Sequence, residues 1–155
     1  MARIVIGNAL FGKRGKVSRL IIPWCTYTSP EIARIGLSAE EAAAAQIPID
    51  TYRQPLAEID RSILDGHPQG FIEVHTRRGT DTILGATIVA EQAGELVGEF
   101  SLAMSHGLGL KKLATTIHPY PTVAAGLGKL GDQYNRTRLT PWVKYLMRGW
   151  FALSK

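Results

Sequence analysis

Two side chains in this sequence combine reactive chemistry with a placement that aims them. They stand in Ile117-His118-Pro119-Tyr120-Pro121-Thr122, where two prolines separated by one residue hold the chain extended and point the adjoining side chains in fixed directions. Such a stretch has two uses: it is a rigid connector, or it presents His118 and Tyr120 to a neighbouring site. The other histidines, His67, His75 and His106, share no i, i+4 or His-x-His spacing with one another or with His118, so no metal site is expected. His67 beside Pro68 reads as a turn residue, His75 as an exposed strand position and His106 as a helix C-terminal residue favoured by the dipole there. The one cysteine, Cys25, can build neither a disulfide nor a Cys-x-x-Cys pair, which fits a reducing compartment and a cytoplasmic protein.

Gly126-Leu127-Gly128-Lys129-Leu130-Gly131 matches GxGxxG letter for letter. That fingerprint needs a strand before it, a helix after it and an acid about twenty residues on, because its glycines let backbone amides approach a pyrophosphate at a helix N-terminus. Residues 121–125 form no strand run and no acid follows Asp132, so the small residues read instead as allowing a helix to pack closely on a partner. Asn135-Arg136-Thr137 is a formal glycosylation sequon, which matters only in a secreted protein. No stretch approaches 18 uncharged apolar residues and the first twenty residues lack a leader's apolar core, so neither secretion nor membrane spanning is expected.

A chain of 155 residues, 45% hydrophobic and 20% charged, is expected to form one domain and to bury roughly 70% of the surface of its unfolded form, enough for a core without disulfides. The net charge of +5 is unevenly placed. Residues 1–20 and 129–155 together carry +10, while residues 21–128 hold seven bases and twelve acids, a net of −5. A nucleic-acid binder needs its cations on one face of the folded body, so no nucleic-acid partner is expected.

The elements that must position His118 and Tyr120 follow from period and punctuation. Residues 23–28 read as a strand closed by Ser29-Pro30. Ser38 with Glu41 three residues on makes a capping box for a helix over residues 40–46, ended by Pro48. Residues 49–56 read as extended and residues 58–64 as a short helix. Phe71–Arg77 alternates polar with apolar, Gly79-Thr80-Asp81 turns and residues 82–90 return, an antiparallel hairpin. Leu96, Val97, Phe100 and Met104 recur at helical spacing over residues 94–106, before Gly107 and Gly109. Strands first and helices after argue an α+β fold and against a parallel dinucleotide-binding sheet.

Pro30-Glu31-Ile32-Ala33-Arg34-Ile35-Gly36-Leu37, Ala42, Ile83-Leu84-Gly85-Ala86-Thr87-Ile88-Val89 and the loop from Ile117 to Thr122 occur in an order and spacing that resembles the C-terminal dimerisation domain of FAD-dependent pyridine nucleotide-disulfide oxidoreductases. Dihydrolipoamide dehydrogenase, glutathione reductase and mercuric reductase belong to that family, and the resemblance covers about residues 1–130. It implies an antiparallel sheet flanked by helices. It also implies that FAD and NAD(P)H domains and the redox cysteine pair precede this module in a longer chain. The module then carries no cofactor of its own, is not catalytic alone, and pairs as a homodimer so that its terminal loop completes the partner's flavin-disulfide site. On this reading residues 1–21 end a preceding domain or linker, 22–135 form the dimerisation domain and 136–155 a basic C-terminal helix.

The family loop reads His-Pro-Thr with Glu three residues after the Thr, the His acting as acid/base toward the thiols. Aligned on Pro121-Thr122, the His position holds Tyr120 and the Glu position Ala125. The dyad is missing, and a tyrosine with an ordinary pKa of about 10 is a poor base at neutral pH. The resemblance therefore implies Tyr120 as the catalytic candidate, His118 as its alternative, and Pro121 and Thr122 as loop residues near the partner's flavin. Tyrosine here is similar to the mercuric reductase branch, though the chain ends Ala152-Leu153-Ser154-Lys155 and not in that branch's vicinal cysteines. Ala124, Ala125, Gly126, Gly128 and Gly131 are expected to let a helix approach a symmetry mate.

The rival reading is a stand-alone interaction or membrane-surface module. Thr140-Pro141 starts a helix to about Leu153 with Leu139, Trp142, Val143, Leu146, Trp150 and Leu153 on one stripe and Lys144 and Arg148 off it. That stripe packs on the domain or its partner, or makes weak contact with an anionic bilayer surface.

Overall fold

In the computed structural model, which describes residues 2–140 and 142–143, the alternating segments become one antiparallel sheet. Its strands are β1 (Trp24–Thr26), β2 (Glu31–Gly36), β3 (Ile49–Pro55), β4 (Phe71–Arg77) and β5 (Ile83–Ala90), in the order β1-β2-β5-β4-β3. The helices among the described residues are α1 (Ala2–Phe11), α2 (Ala39–Ala44), α3 (Asp60–Leu64), α4 (Ala93–Ser105), α5 (Leu110–Thr115) and α6 (Ala125–Thr137). The α+β architecture and the β4–β5 hairpin are those the sequence predicts.

Period-two alternation places Ala33, Ile35, Ile72, Val74, Ala86 and Ile88 on one face of the sheet, all buried beneath α4 and α6. From α4, Val97, Phe100 and Ala103 fill this layer, and from α6, Leu127, Leu130 and Tyr134, the last meeting Tyr52 edge-on at 5.9 Å. Phe100 is fully buried, and removing its ring costs about 3–5 kcal/mol. The opposite face stays open over Trp24, Ile32, Arg34, Arg53, Phe71 and Glu73, with the Arg34 guanidinium 5.7 Å from the Trp24 ring centre and that of Arg53 3.6 Å from Phe71.

The capping box forms as expected. Ser38 Oγ accepts from the Glu41 amide at 3.1 Å and the Glu41 carboxylate accepts from the Ser38 amide at 2.7 Å, which together hold the Glu41 carboxyl below its ordinary range. The helix is shorter than expected, ending at Ala44, because Gln46 already stands in the left-handed region at φ 55°. Gly36 and Gly85 are obligatory where the chain leaves β2: Gly36 has φ +67°, and a Cβ on Gly85 would lie 2.0 Å from the Leu37 carbonyl oxygen crossing it.

Two expectations are corrected here. His75 is not an exposed strand residue but is 2% exposed, its Nδ1 2.9 Å from Thr51 Oγ1, because a register shift between His75 and Thr76 turns both inward. Burial pushes its pKa below the ordinary value despite the opposing Glu73 and Glu40. Nor are Gly126 and Gly131, two of the five small residues expected to face a symmetry mate, left for one: a Cβ on Gly126 would meet Ile59 at 2.5 Å, and one on Gly131 would meet Ala114 of α5 at 2.6 Å. These glycines close the chain's own core. The segments 31–36 and 110–115, to which the sequence pattern assigned no element, are β2 and α5.

At the amino end, α1 buries only Gly7 and exposes Val5, Ile6, Leu10 and Phe11. At the other end the Val143 amide donates to Thr140 Oγ1 at 3.4 Å, as the N-cap predicts. The remainder of the expected tail helix, with Leu146, Trp150 and Leu153, lies outside the described residues.

Candidate functional site

The loop singled out in the sequence runs from the end of α5 to the start of α6 and is tied down from within. Thr122 Oγ1 donates to the Pro119 carbonyl at 2.8 Å and accepts from the Ala125 amide at 3.3 Å, which satisfies a first-turn donor of α6. Lys129, one turn into that helix, donates through Nζ to the Glu58 carbonyl and fixes α6 against the segment before α3. The Tyr120–Pro121 peptide is cis. Thr122 is thus spent on the loop's own backbone.

His118 and Tyr120 go to different helices. The His118 side chain is 10% exposed, and its Nε2–H donates to both oxygens of Glu99 on α4, at 3.0 and 3.2 Å. A carboxylate can only accept, so this contact places the proton on Nε2. The imidazole faces inward and holds the loop to α4. Tyr120 is 80% exposed at the loop's tip, beside Ile117 at 95%, and its hydroxyl donates to Asp60 Oδ2 of α3 at 2.9 Å. The Asp60 carboxylate, as hydrogen-bond acceptor and as neighbouring charge, raises the Tyr120 pKa above its ordinary value. The phenol is therefore neutral at physiological pH and works by hydrogen bonding, not as a base.

The Glu position of the family loop holds Ala125, at the first residue of α6, and the carboxylate beside the only histidine of the loop comes from Glu99. Glu99 and Asp60 were not legible as site residues, since they lie 19 and 60 positions from their partners and nothing in their local pattern marks them. A cleft of about 460 Å³ lies alongside, between α3 and the start of α4, lined by Leu56, Arg61, Ser62, Glu91 and Val123 among others. Arg61 within it is paired with Asp65 at 2.7 Å.

The GxGxxG match does not fit a dinucleotide. All three glycines lie inside α6, and the space a pyrophosphate would need at Gly126 and Gly131 is filled by Ile59, Ile72 and Ala114. Among the described residues no cluster of three His, Cys, Asp or Glu is arranged to hold a metal.

Comparison with known proteins shows what the module resembles. Residues 22–130 match the model of the pyridine nucleotide-disulphide oxidoreductase dimerisation domain. The chain is 39% identical over 115 residues to a dihydrolipoyl dehydrogenase of Thermus scotoductus, covering 74% of this chain and 25% of that protein. It is 34% identical over 130 residues to a mercuric reductase of Streptomyces lividans, covering 84% and 27% respectively. Among solved structures, the HOCl-induced flavoprotein disulfide reductase RclA of Escherichia coli superposes with a TM-score of 0.77 at 25% identity, over 84% of this chain and 30% of RclA. LpdA of Mycobacterium tuberculosis does so with a TM-score of 0.78 at 26% identity, over 85% and 29%. The chain spans about a quarter of the length of the curated relatives it matches.

Proposed function

The chain belongs to the pyridine nucleotide-disulphide oxidoreductase dimerisation domain family, and from that premise we propose that it pairs two subunits of a flavin-dependent, NAD(P)H-using oxidoreductase and lends the loop over residues 117–122 to the partner subunit's redox site. FAD, NAD(P)H and the redox-active thiols belong, on this reading, to other domains of the same polypeptide, because the residues of this module fit neither a dinucleotide nor a dithiol.

The observation that carries the reading is the contrast within the loop. Tyr120 is held out at the tip while His118 is drawn back onto Glu99. Tyr120 is then the residue that meets the partner's site, His118 fixes the loop's course, and Pro121 and Thr122 set the turn that aims the ring. A neutral phenol offers a hydrogen bond where an imidazole would offer a base, so the enzyme's thiol chemistry runs without a loop-borne proton acceptor. The open sheet face bearing Trp24, Ile32 and Phe71 favours pairing as well.

Sedimentation equilibrium of this chain tests the pairing. A dimer that persists into the low micromolar range is expected, and a clean monomer at high micromolar concentration would refute it.

A further inference from the structure

A phenol carries one proton and two lone pairs, and in Tyr120 the proton is committed to Asp60 Oδ2. What the exposed oxygen has left to offer is acceptance. We propose that Asp60 is a positioning residue for Tyr120: by accepting the hydrogen bond from the phenol's only proton it fixes the ring at the loop's tip and presents the oxygen to the partner subunit's site as a hydrogen-bond acceptor. The inference rests on the loop reading above and sharpens it, since it specifies the group Tyr120 meets. That group is a donor, such as a protonated thiol, a hydroxyl or an N–H. A thiolate or carboxylate would find no proton to accept and would face the Asp60 charge behind the ring.

No cation competes with Tyr120 for the Asp60 carboxylate among the described residues. The nearby cations are engaged elsewhere, Arg61 with Asp65 at 2.7 Å and Lys129 with the Glu58 carbonyl, and Asp60 has no ion pair among the described residues. The contact also spans the fold. It joins the first residue of α3 to a loop 60 positions away, so the ring's direction is set by where α3 stands beside the loop and not by the loop alone.

Tyrosine labelled with ¹³C at Cζ reads the contact directly in this chain, with Tyr120→Phe identifying the signal. The Tyr120 signal is expected to titrate above the ordinary tyrosine range, to move down toward that range in Asp60→Asn, and to move back up in Asp60→Glu. Identical titration in the wild type and Asp60→Asn would overturn the proposal. Turnover of the full-length enzyme supplies the second arm. Asp60→Asn and Tyr120→Phe should each slow it, and the double variant should be no slower than Tyr120→Phe. Loss of turnover in Tyr120→Phe with none in Asp60→Asn refutes the role of Asp60 alone. Full turnover in Tyr120→Phe, with the NMR contact intact, refutes the loop reading on which that role rests.

Discussion

Gly131 and Gly128 stand one turn apart on α6 and should respond to alanine with opposite signs. Taken as helix positions alone, both would gain about 0.5–1 kcal/mol from the substitution, because glycine loses more backbone freedom on folding than alanine. At Gly128 nothing opposes that gain, since a Cβ would lie 3.7 Å from the Leu113 carbonyl oxygen and 3.9 Å from His118 Nδ1, ordinary contact distances. At Gly131 the same atom would sit 2.6 Å from Ala114 Cβ, and 2.7 Å from both the Ala114 amide nitrogen and the Leu110 carbonyl oxygen. Two of those three atoms are backbone of α5, which cannot swing aside as a side chain does. The two helices must then separate, and overpacking of this kind costs typically 1–3 kcal/mol. Net of the propensity gain, Gly131→Ala should lose about 1–2 kcal/mol and Gly128→Ala should gain about 0.5 kcal/mol. Urea unfolding followed by far-UV circular dichroism measures both, with an unchanged slope showing that the shift in midpoint reports stability. A Gly131→Ala chain as stable as wild type would refute the intramolecular account of these glycines.

Two further outcomes follow from buried or capped groups. The imidazole of His75 titrates near 6.5 in the unfolded chain and lower in the native one, where burial disfavours its charge, so the unfolded state binds the extra proton in that interval. Stability should therefore fall as the pH drops below about 6.5, and His75→Gln should flatten that part of the curve, as measured by urea midpoints between pH 5 and pH 8. The Cys25 thiol is pushed up by burial and then by the Glu31 carboxylate, which also accepts the Gly94 amide at 2.9 Å in the first turn of α4. Glu31→Gln should speed alkylation of Cys25 at mildly alkaline pH while lowering the unfolding midpoint, and an unchanged alkylation rate would count against that contact.

What could be read from the sequence was local. The Ser38–Glu41 box, the β4–β5 alternation and the apolar spacing of α4 all act within a few residues, and each element starts where those signals put it, though the helix after the box ends early at Ala44. Strand β2 escaped because only Ala33 and Ile35 carry an apolar signal for the core, while Glu31 on the same face is polar, Ile32 and Arg34 face outward and Gly36 ends the run. His75 was misplaced because a bulge breaks period two where Val74, His75 and Thr76 are buried in succession. The glycines of α6 were legible as close-packing residues, but which surface they pack on is decided by α5 and Ile59, at distances no local pattern encodes. At the site, Tyr120 and His118 were marked by the flanking prolines, whereas Asp60 and Glu99, which hold the two side chains to different helices, come from elements the sequence does not connect to the loop.

The central claim, that Tyr120 works in the partner subunit's site, is tested most directly by subunit complementation in the full-length enzyme. A heterodimer would combine one subunit carrying Tyr120→Phe with one whose redox-active thiols have been removed. If the loop acts across the dimer, one site unites intact thiols with an intact Tyr120, and the heterodimer recovers about half the wild-type turnover, as closed two-fold pairing requires. If Tyr120 acts within its own subunit, the heterodimer will turn over no faster than half of the Tyr120→Phe homodimer, and if the phenol has no part in the chemistry that homodimer will already match wild type; either result contradicts the account.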